Sequence, residues 1–243
     1  MKRTPKFQPD LTTILAFGAH PDDIEFGCGG VIARETQAGC AAYFVVCSRG
    51  EAGTNGTPAQ RTAEARKSAS LLGATLEFVS FGGDAHLEVS VARTLKLAAI
   101  IRRVRPAVVL APTPAGNQHP DHIAVGRMVR DAARLARYGG VKELKPWAAH
   151  AIQQLLFYAV TVEAEPADRS AVLIDVTSVA AIWWEAMSAH QSQAKTREYA
   201  GLQMARASMH GQRAGVSFAI PLFPNDTLIF ESLQQLGRSA RQF

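Results

Sequence analysis

Short, wholly apolar runs alternate along the chain with segments whose apolar positions recur at helical spacing. Residues 13–19 (TILAFGA) predict a buried strand. Residues 26–38 predict a helix, with Gly39 as its left-handed stop. Residues 41–47 (AAYFVVC) predict a second strand, and a polar, glycine-rich loop, SRGEAGTNG, follows it. Thr57-Pro58-Ala59-Gln60 has the form of a helix start, with Thr at the N-cap, Pro at the first helical position and Gln at the third. That helix runs to Leu72 and stops at Gly73. Further strands are predicted over 76–81, 107–111, 152–160 and 171–176. Helices are predicted over 91–104, stopped by Pro106, over 123–137, ending at Gly139-Gly140, and over a long stretch from 179 to about 210. There is no repeat and no low-complexity segment.

Strands of this length separated by helices imply βαβ units. The expected fold is α/β: a Rossmann-like three-layer sandwich with a mostly parallel sheet covered on both faces. One domain is expected over 1–243, with its core at about 12–200 and a C-terminal third of helical and strand decoration. Ligands of such sheets bind beyond the carboxyl ends of the strands. Function is therefore expected in the loops 18–30, 48–57, 81–90 and 112–122, which is where the polar chemistry concentrates. Gly27-Cys28-Gly29-Gly30 reads as a stretch that lets a helix start pack closely on the sheet. Trp183-Trp184 reads as core or a subunit contact, with sugar stacking as the functional alternative.

Composition narrows the class. The 243 residues are 47% apolar and 19% charged, a globular balance that excludes disorder for the bulk of the chain. No run approaches the roughly 18 consecutive apolar residues of a membrane span. The first ten residues, MKRTPKFQPD, are basic without an apolar stretch behind them, and do not read as a secretory signal. The expected location is cytoplasmic, with no membrane partner. The net charge is +5, and the arginines spread along predicted helix faces, which argues against a nucleic-acid partner. Cys28, Cys40 and Cys47 lack paired spacing and point to a reducing compartment.

Two clusters carry the chemistry. His20-Pro21-Asp22-Asp23 follows the first strand, and His119-Pro120-Asp121-His122 follows the fourth. Both are also ordinary turn and N-cap vocabulary. If the first and fourth strands are neighbours, His20, Asp22, Asp23, His119 and His122 converge across one crevice. Two imidazoles and a carboxylate suit a divalent metal with open positions. A carboxylate outside the ligand set can take a proton from water, and a spare histidine can stabilise an oxyanion or protonate a leaving group. Three rivals stand beside this reading. A dinucleotide-binding oxidoreductase lacks its full glycine motif and an acid after the second strand. A non-haem iron enzyme would use the same two-His, one-carboxylate site with Asp22 rather than Asp23 as ligand. A non-catalytic binding protein is disfavoured by the presence of all five residues.

AHPDDIEFGCGG and HPDH resemble the paired signatures of the LmbE-like (PIG-L) family of zinc-dependent N-acetylglucosaminyl deacetylases. Arg49-Gly50-Glu51, Gly53, Gly56 and Arg61-Thr62-Ala63-Glu64-Ala65 are similar to the family's second-strand segment. Asp84, Asp175 and His190-Gln191-Ser192-Gln193 are weaker matches. The resemblance spans about residues 12–200. It implies His20, Asp23 and His122 as metal ligands, Asp22 as general base, His119 as electrophilic or acid partner, and Asp121 as the group orienting His119. It implies Arg61, Glu51, Asp84 and His190 on the substrate side. The cofactor it implies is Zn2+, with Fe2+ suited to the same ligands. The partner it implies is a small N-acetylated amino sugar, and homo-oligomers are common in the family. The usual pattern has Glu directly after Asp-Asp. Here Ile24 intervenes, and Glu25 reads as a first-turn helix acid favoured by the helix dipole.

Overall fold

The computed structural model describes residues 12–167, 170–195 and 197–239. The N-terminal stretch considered above for a secretory signal lies outside the described residues, Thr12 onward excepted. The strands are β1 (Thr13–Gly18), β2 (Ala41–Val46), β3 (Ala74–Phe78), β4 (Val108–Pro112), β5 (Gln154–Tyr158), β6 (Val172–Asp175) and β7 (Ala219–Pro224). The α-helices are α1 (Asp23–Gln37), α2 (Pro58–Leu71), α3 (Val91–Val104), α4 (Pro120–Ala136), α5 (Ala180–Ser188) and α6 (Tyr199–Ala214). One seven-stranded sheet has the order β3-β2-β1-β4-β5-β7-β6. β1 to β5 pair in parallel, and β7 pairs antiparallel with both β5 and β6.

The continuous apolar strands follow from burial on both faces. On β1, Leu15 and Phe17 join a core with residues of α3 and α4. Their neighbours Ile14 and Ala16 join the opposite core with α1 and α5. Polar side chains on such a strand have no wet face, so ionisable groups collect at its carboxyl end. Strand order reverses between β1 and β4, which makes that end the crevice where ligands of open α/β sheets bind.

Most predicted elements occur near their expected positions, with informative shifts. Thr57 caps α2, its side chain accepting from Gln60 N at 3.2 Å, and Gly73 follows with φ +68°. α1 and α4 each begin three residues earlier than predicted, because Asp23 and Pro120 already belong to the first helical turn. The long helix expected over 179–210 is two helices. Between them the Ser192 N–H and hydroxyl bind the Glu64 carboxylate at 2.9 and 2.6 Å, which draws the chain onto α2. β7 was not foreseen: AIPLFP carries two prolines, and proline argues against an interior strand. Its ladder to β5 is only two residue pairs long.

α1 lies unusually close to the sheet. A Cβ on Gly27 would sit 2.1 Å from a ring carbon of Tyr158. The Tyr158 hydroxyl donates to the Phe17 carbonyl at 2.7 Å, and the Trp183 indole N–H donates to the Glu25 carbonyl at 2.8 Å. Trp183 is therefore core, while Trp184 is 42% exposed. This packing fixes the first turn of α1, and with it Asp23. A Gly27→Ala chain must push α1 off Tyr158, and is expected to lose about 1–3 kcal/mol of stability by urea unfolding.

Candidate metal centre

β1 and β4 are hydrogen-bonded neighbours, so the turn after β1 and the first turn of α4 face each other. Asp22 ends the β1 turn at φ 117°, a backbone region that side chains rarely enter and that stores strain. Asp23 then opens α1. Its Oδ2 accepts the backbone N–H groups of Ala19 and His20, both at 2.8 Å. Its Oδ1 lies 3.0 Å from His122 Nε2, and His20 Nδ1 lies 3.5 Å from Oδ2. One donor atom from each of His20, Asp23 and His122 falls within 4.8 Å of the others, and all three residues are buried.

The far side of His20 is held by carboxylates. Its Nε2 lies 3.0 Å from both Asp84 Oδ1 and Asp121 Oδ2. An N–H donated there leaves the Nδ1 lone pair for the cluster, the usual arrangement behind a metal-bound imidazole. Asp121 also accepts the Ala85 N–H at 2.7 Å and the Leu87 N–H at 3.3 Å, which pins the loop after β3. His119 caps α4: its Nδ1 accepts the Asp121 N–H at 3.2 Å. In the neutral ring the proton is then on Nε2.

Electrostatics separate the groups. Burial works to raise Asp23, but the charges of His122 and His20 overcome it and hold its carboxyl well below the usual range. Burial opposes the charge on His20, but Asp23, Asp121 and Asp84 outweigh it and raise His20 well above 6.5. Asp22 is pushed up to about 6, by burial first and by the charge of Asp23 second. Burial, then the charge of His20, lowers His119. A carboxylate near neutrality thus stands beside one that is firmly ionised.

A cavity of about 400 Å³ opens over these groups, a size typical of small-molecule sites. His20, Asp22, Asp23, Arg61, Asp84, His119 and His122 all line it. Arg61 is buried, with its guanidinium 3.4 Å from Asp22 Oδ2, 3.1 Å from the Pro21 carbonyl and 3.9 Å from Asp84 Oδ2. The glycine-rich loop makes room for it: a Cβ on Gly50, which has φ +73°, would lie 2.0 Å from Arg61 Nη1.

Three expectations change. Asp121 does not orient His119 with its carboxylate; that carboxylate serves His20, and only its backbone N–H meets His119. Glu51 is exposed and braces two loops, accepting the N–H groups of Arg49 and Asp84 at 3.0 Å each, instead of lining the cavity. His190 is 1% exposed, lies 3.3 Å from Glu25 Oε1, and is not in the cavity wall. Glu25 lies in the first turn of α1, as expected, and is buried. His86 is exposed, and Asp175 caps the turn at Thr177. The residues that sequence reasoning missed are Phe26, the segment 160–163 after β5, and Arg197, Tyr199, Leu202, Gln203 and Arg206. No motif marks them. The carboxyl end of β5, beside β4, was the available signal.

The fold and cluster define an α/β protein with a candidate divalent-metal centre at its topological switch point. The donor set fits such an ion: two imidazoles and an ionised carboxylate, with Asp23 rather than Asp22 in the cluster. Residues 15–133 match the family described as PIG-L: GlcNAc-PI de-N-acetylase. The conserved protein TT1542 from Thermus thermophilus superimposes with a TM-score of 0.81 at 30% identity, over 90% of this chain and 97% of that one. The diacetylchitobiose deacetylase of Thermococcus kodakarensis is 27% identical over 199 residues, 76% of this chain and 71% of the relative. The 4-oxalmesaconate hydratase of Pseudomonas putida is 30% identical over 140 residues, 53% of this chain and 54% of that enzyme. The chain belongs to the PIG-L (LmbE-like) family. Its relatives include deacetylases and a hydratase.

Asp121→Asn is expected to weaken divalent-metal binding about 10–100-fold in a chelator competition, because His20 loses a charged partner. At neutral pH a metal must displace the proton that His20 holds. Apparent affinity should therefore rise with pH, about tenfold per unit for one proton, until the raised pKa of His20 is passed.

Proposed function

We propose that this protein is a metal-dependent hydrolase that removes the N-acetyl group from an N-acetylglucosamine-type amino sugar conjugate. The observation that carries the reading is the division of labour between two adjacent carboxylates. Asp23 sits among His20 and His122, while Asp22 stands outside that set at the cavity wall with a raised pKa. His20, Asp23 and His122 would hold the metal, zinc by preference, with iron suited to the same donors. A metal held there supplies Lewis-acid polarisation of the amide carbonyl and makes water a stronger acid.

The remaining steps belong to the chain's own residues. Asp22, near neutrality and backed by Arg61, takes the proton from the attacking water. The Nε2–H of His119 donates to the carbonyl oxygen as negative charge gathers there. The new C–O bond forms, the C–N bond breaks, and Asp22 or His119 returns a proton to the leaving amine. Asp121 and Asp84 hold His20 in register, and Arg61 and Asp84 remain available to the sugar's polar groups. The three free thiols fit a reducing compartment such as the cytoplasm. Among the described residues no helix is long and apolar enough to cross a membrane.

Metal-quantified protein is expected to release acetate from N-acetylglucosamine conjugates, to stop after chelation, and to recover with added metal. Asp22→Asn should keep its metal and lose about 10²–10⁴-fold in turnover. Full turnover in that variant would remove Asp22 from the role. Bound metal with no acetate from any conjugate would move the reading toward the hydratase side of the family. His119→Ala should lose about 10²–10³-fold in kcat, with a smaller change in KM.

A further inference from the structure

The cavity has two chemically different halves. One is the ionisable cluster just described. The other is built by residues 160–163, after β5, and by the first two turns of α6. These two segments are fastened to each other. Gln203 Nε2 donates to the Val160 carbonyl at 2.8 Å, and Arg206 Nη1 donates to the Ala159 carbonyl at 2.7 Å. Arg206 Nε also donates to Glu165 at 2.6 Å, and Gln203 Oε1 accepts from Arg206 Nη1 at 3.3 Å.

The principal polar side chains of this half are therefore engaged with the protein. Arg206 Nη2 is buried and has no hydrogen-bond partner. Gln193, at the edge, is likewise taken up, its amide donating to the Asn55 carbonyl and to the Ser192 hydroxyl at 3.0 Å each. Glu163 and Arg197 are exposed residues of the lining, and the Thr161 hydroxyl is bonded to the Glu163 carboxylate. The apolar and aromatic part of this wall is Phe26, Val160, Val162, Tyr199 and Leu202. Phe26 and Tyr199 pack ring to ring at 5.8 Å. Val162 is 53% exposed and Leu202 41%, which is substantial apolar area left open beside a polar cluster.

We infer that this wall is a subsite for an apolar aglycone: an alkyl or aryl group carried by the amino sugar, not a second polar sugar. The inference rests on the deacetylase reading for the orientation of the ligand, with the acetamide at the ionisable end. A sugar hydroxyl laid on Val162 and Leu202 would lose water against apolar side chains, and the neighbouring amides of Gln193 and Gln203 are already engaged. An alkyl or aryl group gains about fourfold in binding for each methylene it buries.

The test compares the methyl, butyl, octyl and phenyl glycosides of N-acetylglucosamine with N,N'-diacetylchitobiose. Binding to metal-loaded Asp22→Asn protein is measured by calorimetry, and acetate release is measured with the unmodified enzyme. Affinity and kcat/KM should rise at least tenfold from methyl to octyl or phenyl, mainly through KM. In Val162→Ser/Leu202→Ser, both exposed positions, the octyl-to-methyl ratio should collapse. A flat series, a chitobiose advantage over octyl, or an octyl-to-methyl ratio unchanged in the double variant would each overturn the subsite. No acetate from any glycoside would overturn the deacetylase reading alone, since the binding ratios still decide the subsite.

Discussion

One buried carboxylate ties the candidate site to the fold. Asp23 accepts the two N–H groups of the turn after β1 with one oxygen and faces His122, from the first turn of α4, with the other. An ionised group this deep is tolerable only when it is hydrogen-bonded and paired. It stands on α1 and its partners come from the turn after β1 and from α4, so the relative positions of these elements and its charge depend on one another. Tyr158 beneath Gly27 and Trp183 against the start of α1 hold the helix where this is possible. The strain at Asp22 is part of the same geometry: the chain turns sharply there so that consecutive aspartates serve different neighbours.

Much of this was legible in the residues. The two His/Asp clusters, their places after apolar strands and the capped start of α2 were visible because each depends on neighbours in the chain. Whether the clusters meet depended on β1 and β4 being adjacent, and the observed pairing supplies that. Less was legible wherever an interaction crosses loops. The family resemblance implied that Asp121 orients His119. The first turn of α4 instead turns its carboxylate onto His20. Glu51 sits in a polar loop and braces another loop. His190 sits in a polar run that is drawn inward onto α2. β7 was hidden because its prolines contradict the local rule, and only its position between β5 and β6 explains it.

The electrostatic arrangement is graded. His20 is held by three carboxylates, of Asp23, Asp84 and Asp121, and that surplus of negative charge favours a cation in the crevice. Arg61 balances the outer edge, against Asp22 and Asp84. The cavity therefore passes from a charged floor to a wall in which the buried charge of Arg206 is paired with Glu165.

The same division runs along the chain. The proposed ligands and proton-transfer residues all lie between His20 and His122, inside the segment that matches the family. The opposite wall comes almost wholly from residues 160–206, beyond that segment, and is fastened together by its own hydrogen bonds. That stretch is nonetheless joined to the helices that carry Asp23 and Arg61: Trp183 donates to the Glu25 carbonyl of α1, and Ser192 binds Glu64 of α2. Within it Val162 and Leu202 stand open at the surface, so side chains there can vary while Trp183 and Ser192 keep the stretch fixed against α1 and α2.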